Sequence, residues 1–179
     1  METKNKTKWV IDPSHTEIMF KVKHLVIATV TGRFDIFEGS ALTNENDFSA
    51  AFVEFSADVN SINTNQKDRD NHLKSADFFD AANHPRLTFR SDSFKHIEGS
   101  TYKMSGDLSI RSTTRHIDLD VEFSGIVSDG YGNTKAGFEI SGKLNRKEYG
   151  LLWNAFTEAG GVVVGDEVRL IINAELVKS

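Results

Sequence analysis

Apolar and polar residues alternate along most of this chain, and that alternation limits its fold more than any other feature. Between 117 and 124, Ile117, Leu119, Val121 and Phe123 are interleaved with Asp118, Asp120, Glu122 and Ser124. Successive side chains of a strand point to opposite faces, so such a run makes one apolar and one polar face on extended backbone. The pattern recurs with Ile18, Phe20 and Val22, then with Phe34 and Ile36 in a strand over about 30–41, then with Ala51, Val53, Phe55, Ala57 and Val59. It returns with Leu87 and Phe89, with Tyr102, Met104, Gly106, Leu108 and Ile110, with Ala136, Phe138, Ile140, Gly142 and Leu144, and with Val168, Leu170, Ile172, Ala174 and Leu176. Phe37 has the wrong parity for its strand, which predicts a bulge or an apolar residue left facing outward.

About eight antiparallel strands, each apolar on one face, are best satisfied by closing into an up-and-down barrel, because closure removes unpaired edges. A two-sheet sandwich is the alternative. A barrel of this size is filled by its side chains or holds one small ligand. The chain of 179 residues shows no repeat, linker or low-complexity segment, so it reads as one all-β domain over 9–179 behind a disordered polar tail over 1–8.

The alternation stops between 60 and 87, after the third strand. Residues 63–76 carry a sparse helical spacing (Asp68, His72, Leu73, Ala76), followed by the paired Phe78 and Phe79, and Pro85 precedes the next strand. This predicts a short helix in a long connection, capped by an Asp or Asn near its start, and such connections tend to be lids or binding loops. In an up-and-down barrel the loops alternate between two ends. One end then receives the short polar turns TNENDFS, the turn at 98–100, and SDGYGN. The other receives HLVIAT, the 60–87 stretch, RSTTRH and NRKEYGLLWNAFTEAGG. Long, aromatic and basic loops gather at that second end.

Composition narrows the function. A formal charge of −5 argues against nucleic acid and against adsorption to an anionic membrane surface, both of which favour basic patches. The chain has no Cys, which removes thiol chemistry and disulfides. It has no apolar leader and no stretch of about 20 apolar residues, so the sequence as written predicts a cytoplasmic protein with no stable membrane insertion. The 13 Phe suit either a packed interior or a pocket for an apolar guest. None of His15, His24, His72, His84, His96 and His116 stands at a metal-binding spacing, and there is no nucleophile elbow or phosphate-binding glycine loop, so no metal, cofactor or catalytic residue is expected. Lys67, Arg69, Lys74, Arg111, Arg115, Arg146 and Lys147 could ring the mouth and meet an anionic head group.

Parity and loop placement together give a candidate ligand site. Phe20, Phe34, Phe55, Phe89, Met104, Leu119, Phe123 and Phe138 would contact an apolar tail inside the barrel. His24 shares inner parity with Phe20 and Val22. Arg69 and His72, one helical turn apart, would meet a polar head, with Phe78, Phe79 and Trp153 shielding the mouth. The interior positions are apolar, which suits a binding protein more than an enzyme.

Several stretches resemble one family. WVIDPSHTEIMFKVKH with VTGRFDIFEG, then DRDNHLKSADFFDAANHPRLTFRS, MSGDLSIRSTTRHIDLDV and AGFEISGKLNRKEYGLLWN are, in that order, similar to the YceI-like, polyisoprenoid-binding family. The resemblance covers nearly the whole chain and implies a lipocalin-like barrel. It implies a carrier with no enzymatic activity for a long-chain isoprenoid or similar amphiphile, such as a polyprenyl pyrophosphate or a quinone. Many relatives are periplasmic, and a homodimer is compatible with the pattern. The competing readings are an enzyme or stress protein acting on or protecting such lipids, and a solid-cored barrel that binds a protein partner. A metal or strongly perturbed polar groups deep inside would favour an enzyme; a core packed shut would favour the solid barrel.

Overall fold

A computed structural model describes residues 5–155, 161 and 163–179. Its strands are β1 (Lys6–Ile11), β2 (Glu17–His24), β3 (Ala28–Phe34), β4 (Phe37–Asn44), β5 (Asp47–Asp58), β6 (Ile62–Asn63), β7 (Arg86–Glu98), β8 (Thr101–Ile110), β9 (Thr113–Ser128), β10 (Thr134–Asn145) and β11 (Val164–Lys178), with one helix, α1 (Lys67–Lys74). They form one antiparallel sheet ordered β1-β4-β5-β7-β8-β9-β10-β11-β2-β3-β6, closed by β1 pairing with β11. The chain is therefore the all-β, up-and-down barrel that the alternation predicts.

The extra strands come from breaks in longer ones. β11 pairs with β2 through Val164–Asn173 and with β1 through Leu176–Lys178, so β1 and β2 are two halves of one wall strand. The break is a single turn at Pro13–His15, where Asp12 caps by accepting from the Ser14 N–H and Pro13 donates no hydrogen bond. β3 and β4 are likewise one strand interrupted at Asp35 and Ile36. The backbone there is satisfied from the side: the Ile36 N–H donates to Ser61 Oγ at 3.0 Å, and the Asp58 N–H donates to Ile36 O.

That second break corrects the parity of its strand. Ile36, expected inside, is 60% exposed, and Phe37 turns inward to stack on Phe55 with ring centroids 6.3 Å apart. Slipping the strand by one residue across the break reverses every side chain after it. The polar tail is also shorter than expected. Lys6, Thr7 and Lys8 already pair with Asn44, Thr43 and Leu42 of β4, because the sheet continues past the apolar residues that mark it in sequence. Residues 1–4 of that tail lie outside the described residues.

The register carries apolar residues around the inside. Phe34 faces Ile18, Ile18 faces Ile172, Ile172 faces Ile140, and Ile140 faces Val121 across successive strands. Cross-strand pairs of this kind are the unit of sheet stability, each contributing about 0.2–1 kcal/mol.

Candidate functional site

The two ends of the barrel are built differently. At one end the interior is shut by rings. Phe48 lies 5.1 Å from Trp9, 5.5 Å from Phe123 and 4.8 Å from Phe138, and Phe94 and Tyr102 extend the cluster. The indole N–H of Trp9, fully buried, donates to Thr43 Oγ1 at 2.9 Å, so the plug leaves that polar group satisfied. Phe48 sits in a segment read from sequence as a polar loop. A single aromatic among Asn, Asp and Ser gives no period, and only the bulge at Ala50 (φ 63°) turns it inward.

Above this floor lies a cavity of about 550 Å³. Phe48, Phe94 and Phe138 form its base, and Phe20, Phe34, Phe55, Phe89, Met104 and Leu119 its walls. Gly32 faces Phe20 across the β2–β3 pair, and any Cβ there would overlap the Phe20 ring, so the ring lies flat over the glycine. Phe123 is the one expected tail contact absent from the lining. It belongs to the plug, because β9 and β10 shift register between Gly137 and Phe138 and bring Phe123 against Phe138 and Phe48. The barrel is thus hollow above and solid below.

The open end is made by the long loops, as their alternation predicts. α1 caps this region, with the Gln66 side chain, not an Asp or Asn, accepting from the Arg69 N–H. Asp70 accepts from both the N–H and the hydroxyl of Thr64, which folds the segment before the helix back onto it. His72 packs edge-on against Phe78 (5.1 Å) and Trp153 (4.6 Å), and its Nε2 meets Asp77 Oδ2 at 2.8 Å. Phe79 packs against Phe34. His72, Phe78, Phe79 and Trp153 therefore gather at the mouth as expected, while His24 stands exposed on its rim, paired with Ala28 and Val164.

The arginines are mostly occupied. Arg146, expected as an exposed cation at the mouth, is only 3% exposed and donates to the carbonyls of Leu151, Trp153, Val164 and Gly165. Burial lowers its pKa, opposed by Asp166 at 3.7 Å. Arg111 donates to Phe78 O and Gly150 O, joining three loops, and Arg115 donates to Glu148 O. Arg69 donates to Thr64 Oγ1 and Thr64 O, and its Nη1 has no partner among the described residues. Sequence shows such residues only as charges. What uses them is the row of loop carbonyls that no strand satisfies. Part of the last loop, residues 156–160 and 162, lies outside the described residues.

One group of potential metal ligands occurs among the described residues, Asp12, His15 and Glu175. It lies away from the cavity lining, and Lys135 Nζ already sits 2.8 Å from Glu175 and 3.7 Å from Asp12. Hydrogen bonds from His15 and Ser14 hold the Asp12 pKa down to about 2.

Known proteins resemble this chain in sequence or in fold. A UPF0312 protein of Staphylococcus aureus strain USA300 is 36% identical over 170 residues, covering 94% of this chain and 96% of that protein. The Campylobacter jejuni YCEI protein superposes with a TM-score of 0.74 at 30% identity, over 88% of this chain and 90% of its own. A polyisoprenoid binding domain from Saccharophagus degradans shares the fold, with a TM-score of 0.70 at 16% identity over 96% and 98% of the two chains. With the YceI-like domain matched from residue 9 to residue 176, this chain belongs to the YceI-like family.

Proposed function

We propose that this protein is a carrier without enzymatic activity that holds one long isoprenoid tail inside the barrel and a polar head at the mouth. The observation that carries the reading is the apolar cavity, closed by rings at one end and open among loops at the other. Its size falls within the roughly 300–1,000 Å³ usual for small-molecule sites. The related domain from Saccharophagus degradans is described as polyisoprenoid binding, which supports the same ligand class. A hollow interior also speaks against a solid-cored barrel.

The head groups that the family resemblance implies, a diphosphate and a quinone, are not equally served. Arg146, Arg111 and Arg115 have donors committed to backbone carbonyls. Arg69 Nη1 and the Nδ1 of His72 have no partner among the described residues, and Lys23, which also lines the cavity, makes no ion pair among them. These groups stand on separate elements, α1 and β2, and suit a carbonyl or hydroxyl head better than a diphosphate, which needs several charges converging on one point. Asp68, which also lines the mouth, adds an opposing charge.

Organic extraction of the purified protein, with native mass spectrometry, tests the carrier reading: one isoprenoid amphiphile per chain is the expected result. Titration with polyprenols of increasing length follows. Each buried isoprene unit contributes roughly 3–4 kcal/mol before ordering costs, so affinity should rise over the first units and then level off. A short polar alcohol binding as tightly as a long polyprenol would refute the reading. Tighter binding of a polyprenyl diphosphate than of the matching quinone would refute the head-group assignment alone.

A further inference from the structure

The turn joining β2 to β3 has an unusual composition for its shape. Leu25 and Val26 both take left-handed backbone, φ 53° and 67°, positions where Gly or Asn is the usual choice and a β-branched residue is an outlier. The side chains gain nothing from the fold in return, since Val26 is 69% and Ile27 88% exposed. Strain kept at a site with no packing benefit points to a role outside the fold. The turn stands on the rim of the cavity, next to His24, and the Leu25 N–H donates to Val163 O. Leu152, a further exposed apolar side chain, belongs to the loop on the same rim.

The strands beneath the tip add a second observation. Lys21 and Lys23 lie on the outer face of β2, and Arg169 is the cross-strand partner of Lys21 on β11. None of these three makes an ion pair among the described residues, whereas the nearby acids Asp166 and Glu167 are taken by Arg146, Lys147 and Lys143. An apolar tip above unpaired cations is the arrangement of an interfacial anchor, with the tip below the head groups and the cations level with phosphate.

We propose that residues 25–27 dock the open end of the barrel on a lipid bilayer, with Lys21, Lys23 and Arg169 facing anionic head groups. This rests on the carrier reading, because a tail held in an apolar cavity has to pass between that cavity and a lipid phase. The contact is shallow and reversible, and the overall negative charge keeps the rest of the surface off the membrane.

Flotation with phosphatidylcholine vesicles, with and without phosphatidylglycerol, tests it on the wild type and on the double variant Val26→Gly/Ile27→Asn. Gly suits the left-handed backbone at 26 and Ile27 is 88% exposed, so the melting temperature of the variant should hold or rise. Its vesicle association should fall about tenfold or more, given the apolar area removed. Lys21→Glu/Lys23→Glu should abolish the gain from phosphatidylglycerol. Wild type that fails to float, or a Val26→Gly/Ile27→Asn variant that floats equally well, would overturn the proposal. So would a dimer in sedimentation that dissociates in this variant, since it would make the turn a contact between copies. Uptake of a polyprenol from detergent micelles, measured in parallel, separates the two ideas. It should be equal in wild type and Val26→Gly/Ile27→Asn, whose changed residues lie outside the cavity lining, and its absence in both would sink the carrier reading while leaving vesicle association to stand alone.

Discussion

The closed and open ends of this barrel solve the same problem, sealing the end of a sheet, with different chemistry. The closed end is packed: rings from β1, β5, β7, β8, β9 and β10 meet, and short turns cross above them. The open end is stitched: side chains of Arg146, Arg111 and Asp70 bond backbone groups of loops that have no strand neighbour. Packing excludes a guest, whereas stitching holds loops in place around a space. The difference shows how one barrel can be a floor at one end and a doorway at the other.

Four changes would break or sharpen that contrast. Phe48→Ala removes the central ring of the plug and should destabilise the protein by about 3–5 kcal/mol, read from urea unfolding. Because Phe48 is also cavity floor, the same variant should accept a longer polyprenol than wild type does. Arg146→Ala should cost about 2–4 kcal/mol by stranding buried carbonyls. Its effect should be local, with faster amide exchange at residues 146–155 and 163–166 and unchanged exchange around Phe48. Uniform acceleration would mean the ends are one cooperative unit.

A smaller effect is expected from acid. Asp12, bonded to His15 and Ser14 beside Lys135, has a pKa held to about 2, below its unfolded value near 3.8. A depressed carboxylate pKa contributes stability above the unfolded value that is lost as pH falls through the folded one. Stability should therefore drop between about pH 4 and pH 2, by less than the pKa change alone implies because solvent screens the site, and Asp12→Asn should flatten that part of the profile. The smallest change is Tyr149→Phe. Its buried hydroxyl has no hydrogen-bond partner among the described residues, so the melting temperature should stay the same or rise slightly. A clear fall would show that the hydroxyl finds water.

The two ends also differ in how much of them sequence reveals. Period-two alternation exposes the walls, since a residue's parity alone tells whether it faces in or out, as it does for Phe20, Phe89 and Leu119. It also sorts the loops correctly between the ends, because parity of connection follows parity of strand. It fails where the chain slips by one, so Ile36 and Phe37 exchange places and Phe48 goes unseen in its turn. Arg146 is harder still. Its burial depends on carbonyls contributed by residues on either side of the last loop, and nothing in NRKEYG announces them. The apolar walls are written locally, and the polar stitching is written only in three dimensions.

Closure of the ring through β11 has a consequence for how the molecule is made. The pairings that complete it join Trp9 to Lys178 and Val10 to Val177, near opposite ends of the sequence. On a ribosome, β1 waits for β11 with one edge bare while the intervening hairpins assemble in order. Contacts of such long sequence separation form slowly, on millisecond-to-second scales in proteins of this type, and bare edges in that interval invite pairing between chains. Synthesis rate and chaperone supply should therefore govern the yield of this barrel more than the stability of the finished fold.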